Sequence, residues 1–175
     1  MAGLANPRKE HRFVLEIDGL NAFLVQEVEL PDFELEEVVH GAPMNTPNVK
    51  TPGKPVVGNL IIRKLVPANQ ADTWVWDWMA LCIDGNAEEY KKTGTLRDYL
   101  PSGTGTVQQY FCGEIFPMKV ETPNRLRQSA NNLIEAITFS VETFFPLESP
   151  GLKSLFSSSS AGAIGAAFGF GSESS

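Results

Sequence analysis

Polar and apolar residues alternate along most of this chain, and one stretch changes to a helical period. From Arg12 to Leu20, Phe13, Leu15 and Ile17 fall on one side, while Arg12, Glu16 and Asp18 fall mostly on the other. That is the pattern of a half-buried strand, closed by the turn signal Asp18-Gly19. Phe23 to Leu30 predicts a second strand, with Leu24, Val28 and Leu30 opposite Glu27 and Glu29. Pro31-Asp32 breaks it. Phe33 to His40 resumes the alternation, with Phe33, Leu35 and Val39 facing away from Glu34 and Glu36. Val56 to Val66 predicts another strand, in which Leu60 and Ile62 oppose Ile61 and Arg63.

The helical period follows Pro67. Ala71, Trp74, Val75, Trp78, Leu81 and Cys82 recur at three- and four-residue steps, which predicts one amphipathic helix. Asn69 is the expected N-cap, and Asp72 the expected acid beside the positive helix end. Asp84-Gly85 supplies the stop. Asn86 to Gly94 reads as a polar connection and Thr95 to Leu100 as a strand. Val107 to Phe116 follows, continuing after Pro117 as Met118 to Glu121. Val107, Phe111 and Ile115 are expected on one face of that strand, and Tyr110, Cys112 and Phe116 on the other, so both faces are apolar. Leu133 to Phe145 is the last predicted strand. Its apolar face is Ile137, Phe139 and Val141, and its small, polar face is Ala136, Thr138, Ser140 and Glu142. The pattern therefore predicts a mostly β domain in which a single helix plugs an open side of the core.

Two segments escape this pattern. Residues 41–55 hold Pro43, Pro47, Pro52 and Pro55, so they predict neither a helix nor a central strand. Such a loop is either an arm that reaches a neighbouring molecule, with Met44 and Val49 to bury, or a flexible surface loop. After Pro146 the composition turns to Ser, Gly and Ala, which divides the chain into a domain over 1–150 and a tail over 151–175. Composition alone predicts that the tail is disordered. Its spaced apolar residues, Phe168 and Phe170 among them, suit pinning onto a neighbour. Trp76 lies off the helical stripe and reads either as a contact with another subunit or as a residue covered by a loop of the same chain.

The remaining properties narrow the function. The chain has 175 residues and a net charge of −7, which disfavours a nonspecific grip on nucleic acid but suits letting a polyanion pass. Met1 to Glu10 is polar and shows no signal-like apolar stretch, and no apolar run is long enough to span a membrane. Cys82 and Cys112 are too few for a disulfide framework and read as buried thiols. His11 and His40 stand in no metal-ligand spacing and beside no nucleophile motif. Gly103-x-Gly105 lacks the strand-then-helix setting of a phosphate loop. Glu36-Glu37 and Glu88-Glu89 read as solvated edges. No catalytic, metal or cofactor site is expected.

Four stretches, in order, carry a resemblance. These are Phe13 to Gly19; Pro52-Gly53-Lys54 followed by Gly58 to Lys64; Trp76-Asp77-Trp78; and Phe116 to Val120 with the strand Leu133 to Thr143. Over residues 12–146 the sequence resembles the tail tube proteins of contractile phage tails, and their relatives in tailocins and extracellular contractile injection systems. Residues 86–106 and 151–175 depart from the pattern.

The resemblance implies an antiparallel β-sandwich or barrel with one flanking α-helix. It implies hexameric rings stacked into a hollow tube, whose inner strands join between subunits into one barrel. It further implies a virion tail assembled in the host cytoplasm, with sheath, baseplate and tail-terminator proteins as partners and a tape measure protein in the lumen. DNA passes through without specific binding, and nothing inserts stably into a membrane. On this reading Thr138, Ser140 and Glu142 line the channel, with Glu27 and Glu29 as further candidates. Pro43, Met44, Pro47, Val49, Trp76, Phe168 and Phe170 touch neighbouring subunits. The alternatives are the tube of a tailocin or injection system and, more distantly, a monomeric β-sandwich binding module using the 41–55 loop.

Overall fold

A computed structural model of the chain describes residues 12–41, 48–68, 70–100, 102, 105–127 and 131–157. The elements run β1 (Phe13–Ile17), a 3-10 turn (Ala22–Leu24), β2 (Val25–Glu29), β3 (Phe33–His40), β4 (Val49–Val57) and β5 (Leu60–Leu65). They continue α1 (Trp74–Asp84), α2 (Ala87–Tyr90), β6 (Lys92–Tyr99), β7 (Thr106–Glu121), β8 (Ile134–Ser140), β9 (Thr143–Pro146) and α3 (Pro150–Ser157). Every strand pair is antiparallel.

The fold turns on β7, which belongs to two layers. Its first half pairs with β6 on one side and β9 on the other, and β6 carries β1 outside it. Its second half, from Phe116, pairs only with β8, and that layer continues through β5 to β2. Between the layers lies one core built from Leu15, Ile17, Leu96, Cys112 and Ile115 of the first and Leu60, Ile62, Ile137 and Phe139 of the second. This is the expected sandwich, and among the described residues the sheets do not close into a barrel.

Glu114 marks the crossover, with φ at +52° in the left-handed region that disfavours side chains. The register against β6 gains one residue of β7 between Cys112 and Ile115. That bulge reverses the alternation. Ile115 therefore joins Cys112 in the central core, whereas the sequence pattern put it with Phe111. Phe111 faces the other side, tilted against Phe145, and Phe145 stacks on Phe156 of α3 with ring centroids 5.4 Å apart. The expected burial of both faces of β7 is thus met, by two separate apolar layers. Residues 151–157, expected to be disordered, instead form most of α3, whose Phe156 covers the Phe111–Phe145 side. Pro117 does not interrupt β7. It sits beside a one-residue bulge on a strand whose other side is unpaired, where a missing N–H costs little.

The plug helix is present and starts later than expected, at Trp74 rather than near residue 70. Val75 and Trp78 are buried, and Trp78 tilts against Phe139 at 5.4 Å. Its indole N–H donates to the Tyr90 carbonyl at 2.5 Å, and the Trp74 indole N–H donates to the Asp18 carbonyl at 3.1 Å. The second bond ties the helix to the turn after β1, where Gly19 has φ +82° and a β-carbon would overlap the Trp74 ring. Gly85, at φ +85°, ends the helix as expected, its N–H bonded to the Leu81 carbonyl. Leu81 lies outside the core, because the last turn runs past it and leaves Leu81 and Ile83 exposed. Asp72 precedes the helix and pairs with buried Lys64, so it is no first-turn acid. Asp77 takes that place. Asn69 lies outside the described residues.

Three further boundaries moved. The predicted strand Val56 to Val66 is two strands, because the chain turns at Gly58, whose N–H donates to the Asp32 carbonyl at 2.8 Å. Leu133 to Phe145 is likewise divided, into β8 and β9. The second part of the predicted 41–55 loop, from Val49 on, is strand: β4 runs back along β3 as a two-stranded ribbon. Its prolines are tolerated because the ribbon has free edges throughout.

Candidate assembly interface

The second layer is a four-stranded sheet with an unusual property: both of its edges are unpaired among the described residues. β2 is one edge, and the Phe116–Glu121 half of β7 is the other. The strands alternate in direction, so the two edges run antiparallel to each other. An unpaired edge presents a row of backbone donors and acceptors that a further strand can complete.

Register defines the face of this sheet turned away from the core, since directly opposed residues share a face. One row across it is Lys119, Thr138, Ile61 and Glu29. The next is Glu121, Ala136, Arg63 and Glu27, and Ser140 opposes Phe116. Four of the five residues expected on a channel wall, Thr138, Ser140, Glu27 and Glu29, therefore lie on one surface. Glu142 does not. β8 ends at Ser140, the Glu142 N–H donates to the Gly113 carbonyl, and the chain passes into β9. The Glu142 carboxylate then receives Lys91 at 2.5 Å.

Lys91 also reaches Glu114 at 2.8 Å, so one ammonium clamps the β7 crossover to the β8–β9 turn. Hydrogen bonding to Glu142 and to Lys91 holds the Glu114 carboxyl below its ordinary value. The same carboxylates raise the Lys91 ammonium, Glu114 most.

Sequence reasoning expected a face of small and acidic groups and missed its cations. Arg63 pairs with Glu27 at 2.6 Å, and Lys119 pairs with Glu121. That bond holds the Glu121 carboxyl below its ordinary value. Glu29 is the one carboxylate of this face without an ion-pair partner among the described residues. The surface is therefore nearly balanced, with two cations and three carboxylates. Arg63 was visible as the polar residue opposite Ile62, but only register could place it beside Glu27.

Of the expected contact residues, Val49 opens the second strand of the ribbon and is exposed, and Trp76 is exposed on the outer side of α1. No loop of the described chain buries Trp76. Pro43, Met44, Pro47, Phe168 and Phe170 lie outside the described residues. The ribbon keeps Leu35, Val38, Val39, Val49 and Val56 in water, so it is apolar beyond what its own two strands can cover.

The sequence profile of the T4-like virus tail tube protein gp19 matches residues 9–145. The chain belongs to this tail tube family. A comparison with curated protein sequences finds no match. Among solved structures, this tail tube protein is similar to a chain of the PVC sheath-tube complex, an extracellular contractile injection system in its extended state. The TM-score is 0.65 and the identity 19%, over 80% of this chain and 90% of that one. It is also similar to a chain of the anti-feeding prophage tube terminating cap, at TM-score 0.69 and 16% identity over 83% and 94% of the two chains. Hcp1 from Flavobacterium johnsoniae superimposes at TM-score 0.51 and 18% identity, over 79% and 96%. At these identities the likeness is one of fold.

Proposed function

We propose that the chain is the structural subunit of the inner tube of a contractile tail. Copies join edge to edge into hexameric rings, β2 of one against the second half of β7 of the next. The four-stranded sheets thereby form one antiparallel wall around a lumen. The observation that carries this reading is the sheet with two free, antiparallel edges in a member of the tail tube family. Closure into a ring removes edges that would otherwise aggregate.

Thr138, Ser140, Glu27 and Glu29 face the lumen in this arrangement, together with Arg63, Lys119 and Glu121. Paired cations on a wall with a small carboxylate excess give DNA no phosphate-binding surface, which suits passage without specific binding. The ribbon β3–β4 clasps the next ring, and α1 with Trp76 faces outward toward a sheath. Baseplate, terminator and tape measure proteins complete the tail, in a virion assembled in the host cytoplasm. The domain extends at least through α3, since Phe156 stacks on Phe145 of the sandwich.

Purified protein tests this by sedimentation and negative-stain electron microscopy. Six-fold rings or hollow tubes are the expected products. A strict monomer at high concentration contradicts the proposal and favours a monomeric binding module.

A further inference from the structure

The two free edges carry complementary chemistry. On β7, Lys119 projects on the wall face beside exposed Met118, and its only ion pair among the described residues is with Glu121 on the same strand. On β2, Glu29 lies in the same cross-sheet row as Lys119, at the opposite edge, and has no partner among the described residues. A cleft of about 530 Å³ opens at the β2 edge, lined by apolar Phe13, Val28 and Leu30 and by polar Gln26, Glu27 and Asp98, so that edge offers an incoming strand both apolar and polar surface.

We propose that Lys119 of one copy pairs with Glu29 of the next, and that this contact sets the register of the subunit join. The inference rests on the edge-to-edge reading above and makes it specific. Three same-face registers are within reach of the two strands. Placing Lys119 opposite Glu27 leaves Glu29 with no countercharge, while Glu27 already has Arg63. Placing Glu121 opposite Glu29 sets two carboxylates together. Placing Lys119 opposite Glu29 gives the one unpaired carboxylate of the face a cation. It also sets Glu121 opposite Glu27, a like-charge meeting that Lys119 and Arg63 beside them offset. The Glu121–Glu29 register has no cation beside Glu29 and is disfavoured, and the choice between the other two rests on the countercharge that Glu29 gains.

Charge reversal and crosslinking test the pair. Lys119→Glu and Glu29→Lys are each expected to lower the assembled fraction at low salt at least about tenfold, and the double reversal to restore it. Glu29→Cys/Lys119→Cys is expected to give a ladder of covalent multimers under mild oxidation, which neither single cysteine variant gives. If the wild type forms rings or tubes, but both single reversals assemble normally and the double cysteine variant gives no ladder, the pair is refuted while the edge-to-edge ring stands. If the wild type forms no assembly at all, the edge-to-edge reading itself fails and the pair falls with it.

Discussion

Lys64 and Glu135 oppose each other on β5 and β8 with ammonium and carboxylate 3.2 Å apart, and both side chains are almost wholly withdrawn from water. Asp72 closes the same ammonium from the segment before α1. One buried cation therefore ties the four-stranded sheet to the approach of the plug helix.

Removing that cation strands two carboxylates in a poorly solvated site. Lys64→Met is expected to destabilise the protein by about 3–5 kcal/mol. Lys64→Met/Asp72→Asn/Glu135→Leu is expected to recover most of the loss, because apolar replacement of a whole buried ionic cluster is often close to neutral. Urea unfolding of the three proteins measures this. A triple variant no better than the single would show that the cost lies in packing and not in stranded charge.

Trp78 is the largest fully buried side chain, and its N–H is satisfied by the Tyr90 carbonyl. Trp78→Ala is expected to cost about 3–5 kcal/mol. Trp78→Phe keeps much of the volume and loses the donor, for about 1–3 kcal/mol. Thermal denaturation followed by near-UV circular dichroism ranks the two.

The Lys91 clamp has a defined pH window. Glu114 is depressed, so its contribution is present above the unfolded carboxyl value near 4.3 and is lost as pH falls through the lower folded value. Lys91 is raised, so its contribution is complete below about pH 10 and is lost as pH rises through the folded value. Both groups are partly solvated, and the effect is expected to stay below about 1 kcal/mol. Glu114→Gln is expected to lower the neutral plateau by up to that amount and to flatten the acid limb of stability below about pH 5 correspondingly. Unfolding midpoints across that range provide the check.

The ribbon separates folding from assembly. Val39 and Val49 are exposed on opposite faces of the ribbon, Val39 across from Lys50 and Val49 across from His40. Val39→Glu/Val49→Glu is expected to change monomer stability by no more than about 1 kcal/mol. Tube formation is expected to fail, since each face of the ribbon then carries an added carboxylate that the face packed on the next ring would have to desolvate. Normal tubes from this variant would remove the ribbon from the ring-to-ring contact.

Much of the fold was legible because one-sided burial leaves a clear mark. Leu15 and Ile17 of β1, Ile62 of β5, Ile137 and Phe139 of β8 and Trp78 of α1 all announce their inward faces by spacing, and all are buried. What spacing could not show was where one residue is inserted. The bulge at Glu114 reverses the alternation of β7, and the end of β8 at Ser140 takes Glu142 off the wall face. The ribbon was hidden for a different reason. Among the described residues Val38, Val39 and Val56 stay exposed and pack into no core, so their spacing signals no inward face. The wall face was half legible: Thr138 and Ser140 show their side by alternation, but Arg63 and Lys119 join Glu27 and Glu121 only through cross-strand pairing.

Cryo-electron microscopy of the assembled protein tests the central claim most directly, through the position of Thr138. The account predicts a hollow tube of stacked rings with Thr138 on the luminal wall and β2 of each copy hydrogen-bonded to β7 of the next. Thr138 on the outer surface, or β2 left unpaired at the subunit boundary, would contradict it.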